Sequence, residues 1–170
     1  MDSAFEIRRF EAGEAALLKK IRLAALQDTP AAFGATFDQE RIEPDAFWEG
    51  WIAGTATFAA FTAGSTDAGG LVVFSRNRHG NLAHRGNLGA MYVAPHWRGT
   101  GVAAKLVATA LAHASGLVRQ VHLSVTAGNV RAERFYRRMG FVEYGREPAG
   151  LRCAGVDYDV LLMACKLDRP

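Results

Sequence analysis

The chain has little of what staples or embeds a protein. Of its 170 residues only Cys153 and Cys165 are cysteines. That is too few for a disulfide framework or a metal-ligand set, so both are expected to be reduced thiols and no metal is expected. No apolar run approaches the roughly 18 residues of a membrane span, and the N-terminal MDSAFEIRRF has no signal-peptide core. A cytoplasmic protein without membrane attachment is the expectation. Linkers, repeats and low-complexity segments are also missing, which leaves one domain over residues 1–170.

The most informative absence is local. Residues 68–132 contain no Asp or Glu, although the chain has 17 of them. The same window holds Arg76, Arg78, Arg85, Arg98, Lys105, Arg119, Arg131 and all five histidines. A net charge of only +3 hides this segregation. A one-signed block suggests a positive field over a polyanionic ligand. Nucleic acid is not the expected polyanion: the block has no run of consecutive Lys or Arg, no DNA-binding motif and no aromatic stacking platform.

What the block does contain is MYVAPHWRGTGVA, residues 91–103. Met91-Tyr92-Val93 ends a short apolar strand, which Ala94-Pro95 closes because proline supplies no ladder donor. Arg98-Gly99-Thr100-Gly101 is a glycine turn carrying a cation. A helix then opens at Val102-Ala103, with Leu106, Val107, Ala110 and Leu111 at spacings of three and four. Strand, glycine turn and helix N-terminus together form an anion site, since close backbone approach, free N–H groups and the helix dipole all favour negative charge. A phosphate or pyrophosphate site over 98–103 follows. A nucleoside-triphosphate loop would end in Gly-Lys-Ser/Thr, but Gly101 is followed by Val102. Gly99-x-Gly101-x-x-Ala104 fits a dinucleotide fingerprint, yet that needs an acid about 20 residues on, and 119–126 reads RQVHLSVT.

Along the chain, alternation over 5–10 predicts a strand. Leu17, Leu18, Ile21, Ala24 and Ala25 predict one face of a helix over 13–27, stopped by Asp28-Thr29-Pro30. Residues 31–44 read as a loop or broken helix, and Asp45 as the cap of a short helix with Phe47, Trp48 and Trp51. Strands are predicted over 55–62 and 69–75 as a hairpin, then over 88–93, 121–125, 141–145 and 155–166. Helices follow the strands at 88–93 and 121–125, which implies two neighbouring parallel strands joined by a right-handed crossover. Ligands in such sheets sit at the carboxyl ends of the strands, here the turns at 93–101 and 126–129.

The second helix reads N129-V-R-A132-E-R-F135-Y136-R-R-M-G140-F141. Asn129, Ala132 and Tyr136 share one face, and Phe135 and Met139 are expected to face the core. Asn129 reads either as an N-cap or as a partner for a ligand amide. Tyr136 reads either as a packed aromatic or as a functional phenol. Gly140 fits a C-cap.

Arg98-x-x-Gly101-x-Ala103 after Met91-Tyr92-Val93, followed by Asn129-x-x-Ala132-x-x-Phe135-Tyr136-x-x-x-Gly140-Phe141, closely resembles the GNAT superfamily of acyl-CoA-dependent N-acetyltransferases. The two blocks span about 55 residues, and the order of elements also fits. The resemblance implies an α/β, single-domain GNAT-like fold with a mixed, mostly antiparallel sheet. A central parallel strand pair would splay at the acetyl-CoA site, with helices on both faces. It further implies that backbone N–H groups of Met91 and Val93, beside Tyr92, hold the pantetheine and polarise the thioester. Those of Arg98, Gly99, Thr100, Gly101, Val102 and Ala103 would hold the pyrophosphate. Asn129 would contact the pantetheine arm, Phe135 would pack near it, and Tyr136 would protonate the departing CoA thiolate. Arg134 or Arg138 could reach the ribose phosphate. Acetyl transfer would be by direct amine attack on acetyl-CoA.

Many such proteins carry a Glu on the strand before the pyrophosphate turn. Here that region reads H84-R-G-N87-L-G-A-M-Y-V, without a carboxylate. Water, His84, and an acid such as Glu40 or Asp157 remain open as the base, while His122 reads as structural. The resemblance puts the acceptor, a small-molecule or peptide amine, against 31–51 and the final hairpin. There Phe33, Phe37, Trp48 and Trp51 are either substrate-facing or core, and Glu40, Glu43 or Asp45 could pair with a cationic amine. A homodimer is possible by analogy. A non-catalytic acyl-CoA-binding or sensing module with the same fold is the competing class.

Overall fold

The computed structural model describes residues 5–167. Seven strands form one sheet in the order β1-β2-β3-β4-β5-β7-β6. They are β1 (Phe5–Arg9), β2 (Ala56–Thr62), β3 (Ala68–Arg76), β4 (Arg85–Val93), β5 (Gln120–Thr126), β6 (Val142–Cys153) and β7 (Val156–Lys166). Every neighbouring pair is antiparallel except β4 and β5, which run parallel at the centre. Two antiparallel blocks thus meet at one parallel seam, and α4 (Val102–Ser115) is the crossover that spans it.

Period-2 alternation assigns the two faces. In β2, Ala56, Phe58 and Ala60 join the cluster under α4 and α5 (Val130–Arg138), with Val72, Leu106, Val107, Leu123 and Phe141. Ala59 and Phe61 point the other way, to α1 (Ala15–Asp28) and α3 (Asp45–Gly54), with Leu18, Ile21, Trp48, Leu71 and Tyr92. Each fully buried aliphatic side chain contributes about 1.5–3 kcal/mol, so two filled faces hold the sheet rigid. Gly70 marks how closely α4 sits: a Cβ there would lie 2.8 Å from Leu106 Cδ1.

Some local expectations are corrected. On α1 Ala24 is exposed, whereas Arg22 and Leu26 are buried, because the helix also packs on α2 (Phe37–Glu40) and α3. Pro44, not Asp45, holds the N-cap position of α3, and Asp45 lies in its first turn. On α5 Phe135 and Met139 pack partly buried against the core as expected, and Tyr136 is the more deeply buried residue. Trp48 is core, and Trp51 packs against that core with its ring stacked on Trp48. Cys153 and Cys165 form no disulfide among the described residues. Among the described residues, no helix is long and apolar enough to cross a membrane.

Candidate active site between the splayed strands

The parallel seam is short. Arg85, Gly86 and Asn87 pair with Gln120, Val121 and His122, and beyond them β4 and β5 diverge while β5 stays paired with β7 through Thr126. A bulge drives β4 aside. Leu71 pairs with Tyr92 and Val73 with Gly89, so Ala90 and Met91 together oppose Val72. Ala90 takes φ +50°, a left-handed conformation that a non-glycine residue adopts only when its surroundings impose it. Further on, Ala94 N–H donates to Gly69 O at 2.8 Å. Because N–H directions alternate along a strand, Val93 N–H faces the opposite edge, and so, through Tyr92, does Met91 N–H. That edge borders a cleft of about 600 Å³.

At the carboxyl end of β4 the chain makes a short 3-10 turn, Pro95–Trp97, and the Trp97 ring lies flat on Gly69, where a Cβ would meet it at 2.5 Å. This contact seats the turn that follows. Gly99 and Gly101 have φ +82° and +88°, and Gly101 is the N-cap of α4, whose first N–H groups open on the cleft. Arg98, Gly99, Gly101, Ala103 and Ala104 line it. Thr100 turns its hydroxyl to Trp97 O, and the Val102 side chain is wholly buried, leaving only their backbone groups for a ligand.

The Arg98 side chain is already engaged. Its Nε donates to Val93 O at 2.9 Å, and its Nη2 is ion-paired with Asp28 at the end of α1. Tyr92 joins this cluster, its phenol held above the ordinary value by burial and then by the Asp28 carboxylate. A carboxylate from outside the acid-free window therefore folds onto the cation most central to it. Arg131 and Arg138, two turns apart on one face of α5, also line the cleft, and neither has an ion-pair partner among the described residues. Arg131 was not anticipated as a site residue, and Arg134 does not line the cleft.

Across the opening, β5 presents Thr126, at the start of the anticipated 126–129 turn, and Ser124, which was not anticipated. Thr126 Oγ1 donates to Ala31 O at 2.7 Å and pins the 29–33 segment over the carboxyl end of β5. Thr29, Ala32 and Phe33 form that wall. Behind it the buried Arg22 guanidinium is held by Glu40 at 2.8 and 2.9 Å and lies 4.8 Å from the Phe33 ring, which fixes the phenyl group in place.

From α5, Asn129 and Tyr136 reach the cleft. Asn129 Oδ1 accepts from Ala132 N–H at 3.2 Å, so it caps the helix while lining the site. Tyr136 packs between Phe135 at 5.2 Å and Phe141 at 5.8 Å, and burial pushes its phenol far above the ordinary value. Its hydroxyl has no hydrogen-bond partner among the described residues. None of the anticipated bases lines the cleft. His84 is an exposed residue ahead of β4, Glu40 is locked to Arg22, and Asp157 lies on the β7 surface facing Arg152.

A family model described as an acetyltransferase (GNAT) domain matches residues 16–162. Among solved structures, a GNAT-family acetyltransferase from Streptococcus pneumoniae superposes with a TM-score of 0.84 at 22% identity, covering 96% of this chain and 99% of that one. The yncA protein of Salmonella typhimurium with its cofactor acetyl-CoA gives 0.79 at 19% identity, covering 99% and 96%. A ribosomal-protein-alanine N-acetyltransferase from Brucella melitensis gives 0.76 at 21%, covering 95% and 99%. No curated protein sequence matches the chain.

Proposed function

The chain belongs to the GNAT family of acetyltransferases, and on that footing we propose that it transfers an acetyl group from acetyl-CoA to the amine of a small molecule or peptide. The observation that carries this reading is one continuous cleft running from the glycine turn, along the bulged edge of β4, to the Tyr136 phenol. Each part meets a demand of the cosubstrate. The first-turn N–H groups of α4 and those of 98–103 hold the pyrophosphate, with Arg131 and Arg138 as charges for the remaining phosphate. Val93 and Met91 N–H pair with the pantetheine, and the thioester oxygen is polarised from the same edge. Phe135 and Asn129 flank the arm.

The amine attacks the thioester carbon, the C–S bond breaks, and Tyr136 protonates the leaving thiolate. Burial keeps this phenol protonated through the neutral and mildly alkaline range, so the acid is loaded at every turnover. The same desolvation raises the thiolate's own basicity, which keeps the two groups matched. No metal takes part in this scheme, and the acceptor enters past Phe33 and the 29–33 wall.

One observation favours a second reading: among the described residues, no carboxylate or imidazole lines the cleft. A non-catalytic acyl-CoA-binding module would need the turn and the bulged edge but no proton donor, and Tyr136 at the cleft favours catalysis. Free-thiol release from acetyl-CoA against polyamines, aminoglycosides, amino acids and short peptides separates the two. Release dependent on one amine class is expected. Tight CoA binding with no release for any amine would favour the binding module.

A further inference from the structure

Acyl transfer to an amine needs a proton acceptor, and one histidine stands where the two strands part. The last rung of the parallel seam pairs Asn87 with His122. Partners across a sheet share a face and side chains alternate along a strand, so Asn87, Gly89, His122 and Ser124 all lie on the face that carries α1 and the 29–33 wall. Gly89 and Ser124 line the cleft. His122 is therefore two residues, about 7 Å along the strand, from the cleft floor.

Its ring is held at one end only. Nδ1 lies 3.1 Å from the Tyr144 hydroxyl, with the rings edge to face at 5.3 Å, whereas Nε2 is buried without a partner. An orphaned buried ring nitrogen is costly and calls for a water or a substrate. The charged and titratable groups around the ring are Arg85 and His84 at the start of β4 and Tyr144 on β6, while the β7 residue opposite is Ala164. Burial first, then Arg85 and His84, hold the imidazole below the ordinary histidine value, which favours the neutral ring.

We propose that His122 accepts the proton shed by the acceptor ammonium, through a water held between Nε2 and Ser124, with Tyr144 orienting the ring. This rests on the acetyltransferase reading. The ammonium N–H bond breaks and its proton passes by the water to Nε2, whose low basicity hands it on to solvent. The freed amine forms the N–C bond, the C–S bond breaks, and Tyr136 gives its proton to sulfur. The proton then lost from the new amide nitrogen restores Tyr136, so each turnover releases one proton. His122 thereby takes over the task of the carboxylate that is missing around Asn87.

The test is the pH dependence of kcat with saturating acetyl-CoA and the amine that gives the most thiol release. His122→Gln is expected to lower kcat about 100-fold at pH 7, with KM for acetyl-CoA and CoA affinity unchanged. Its acidic limb should move from near the histidine's pKa up to that of the free amine. Asn87→Glu in the same background should restore activity from across the rung, which a merely structural histidine would not allow. Retention of kcat and of the acidic limb in His122→Gln would overturn the proposal. Nitrogen-15 spectra of the imidazole give a readout without turnover: a neutral ring protonated on Nδ1 supports the relay, and one protonated on Nε2 overturns it. Wild-type protein that releases no thiol with any amine would instead bring down the underlying transferase reading, whichever tautomer the spectra show.

Discussion

Asp28 and Arg98 lie 70 positions apart and meet as an ion pair at the mouth of the cleft, joining the end of α1 to the glycine turn. The pair sets the charge of the turn and ties the 29–33 wall, which begins at the next residue, to the expected pyrophosphate site. Removing the carboxylate leaves Arg98 unneutralised beside that site. Asp28→Asn is expected to tighten CoA binding several-fold and steepen its salt dependence. Calorimetry at 50 and 300 mM salt checks this, and unchanged or weaker binding would show that the pair's role is mechanical.

Tyr136→Phe keeps the ring packed against Phe135 and Phe141 and removes only the hydroxyl. Turnover should fall by roughly 10²–10⁴-fold with CoA affinity within about threefold of wild type. Equal turnover in the variant would remove Tyr136 from the mechanism. The raised phenol also has a stability consequence. The folded state keeps its proton above the unfolded value of about 10, so this contribution is complete below that pH and is lost as pH rises further. Urea midpoints measured upward from pH 10 should therefore fall less steeply in Tyr136→Phe.

Gly101→Asp puts a carboxylate at the N-terminus of α4 where a Cβ meets nothing within 4 Å, but at φ +88°. The backbone strain is about 1–3 kcal/mol, which lowers the melting temperature without unfolding the chain. CoA affinity should drop more than 100-fold by charge and occupancy. A folded variant with undiminished affinity would place the pyrophosphate elsewhere.

Glu40→Ala leaves the Arg22 guanidinium, 5% exposed, without its carboxylate. Breaking a buried pair from one side costs about 3–5 kcal/mol, readable as a shift in the urea midpoint. Because Phe33 packs on Arg22, KM for the acceptor should rise more than KM for acetyl-CoA. Equal changes in both would mean that the pair does not shape the acceptor wall.

The glycine turn, the helix behind it and the parallel seam were legible because they depend on local rules: φ above zero at Gly99 and Gly101, an apolar stripe from Val102 to Ala110, a short β-branched strand at 121–125. The cleft lining was only partly legible. Ser124 and Thr126 alternate with Val121, Leu123 and Val125 as in any half-buried strand, and nothing local says that the next strand has moved away. Arg131 lies two residues past Asn129 and was legible only as one of the cations of the acid-free block. The acid-free window was a true feature of the sequence, but it could not show that the fold brings Asp28 from outside the window onto Arg98.

The sequence by itself determined the order of elements, the two glycines that let α4 begin at an open backbone, and the placement of Asn129, Phe135 and Tyr136 on the helix that faces it. Those follow from backbone sterics and helical periodicity, which act over a few residues. Only the tertiary structure decided that β4 bulges at Ala90 and Met91, that Asp28 neutralises Arg98, and that His122 stands beside Asn87 where the strands part. Each depends on packing between segments tens of residues apart, and no local rule specifies such a meeting.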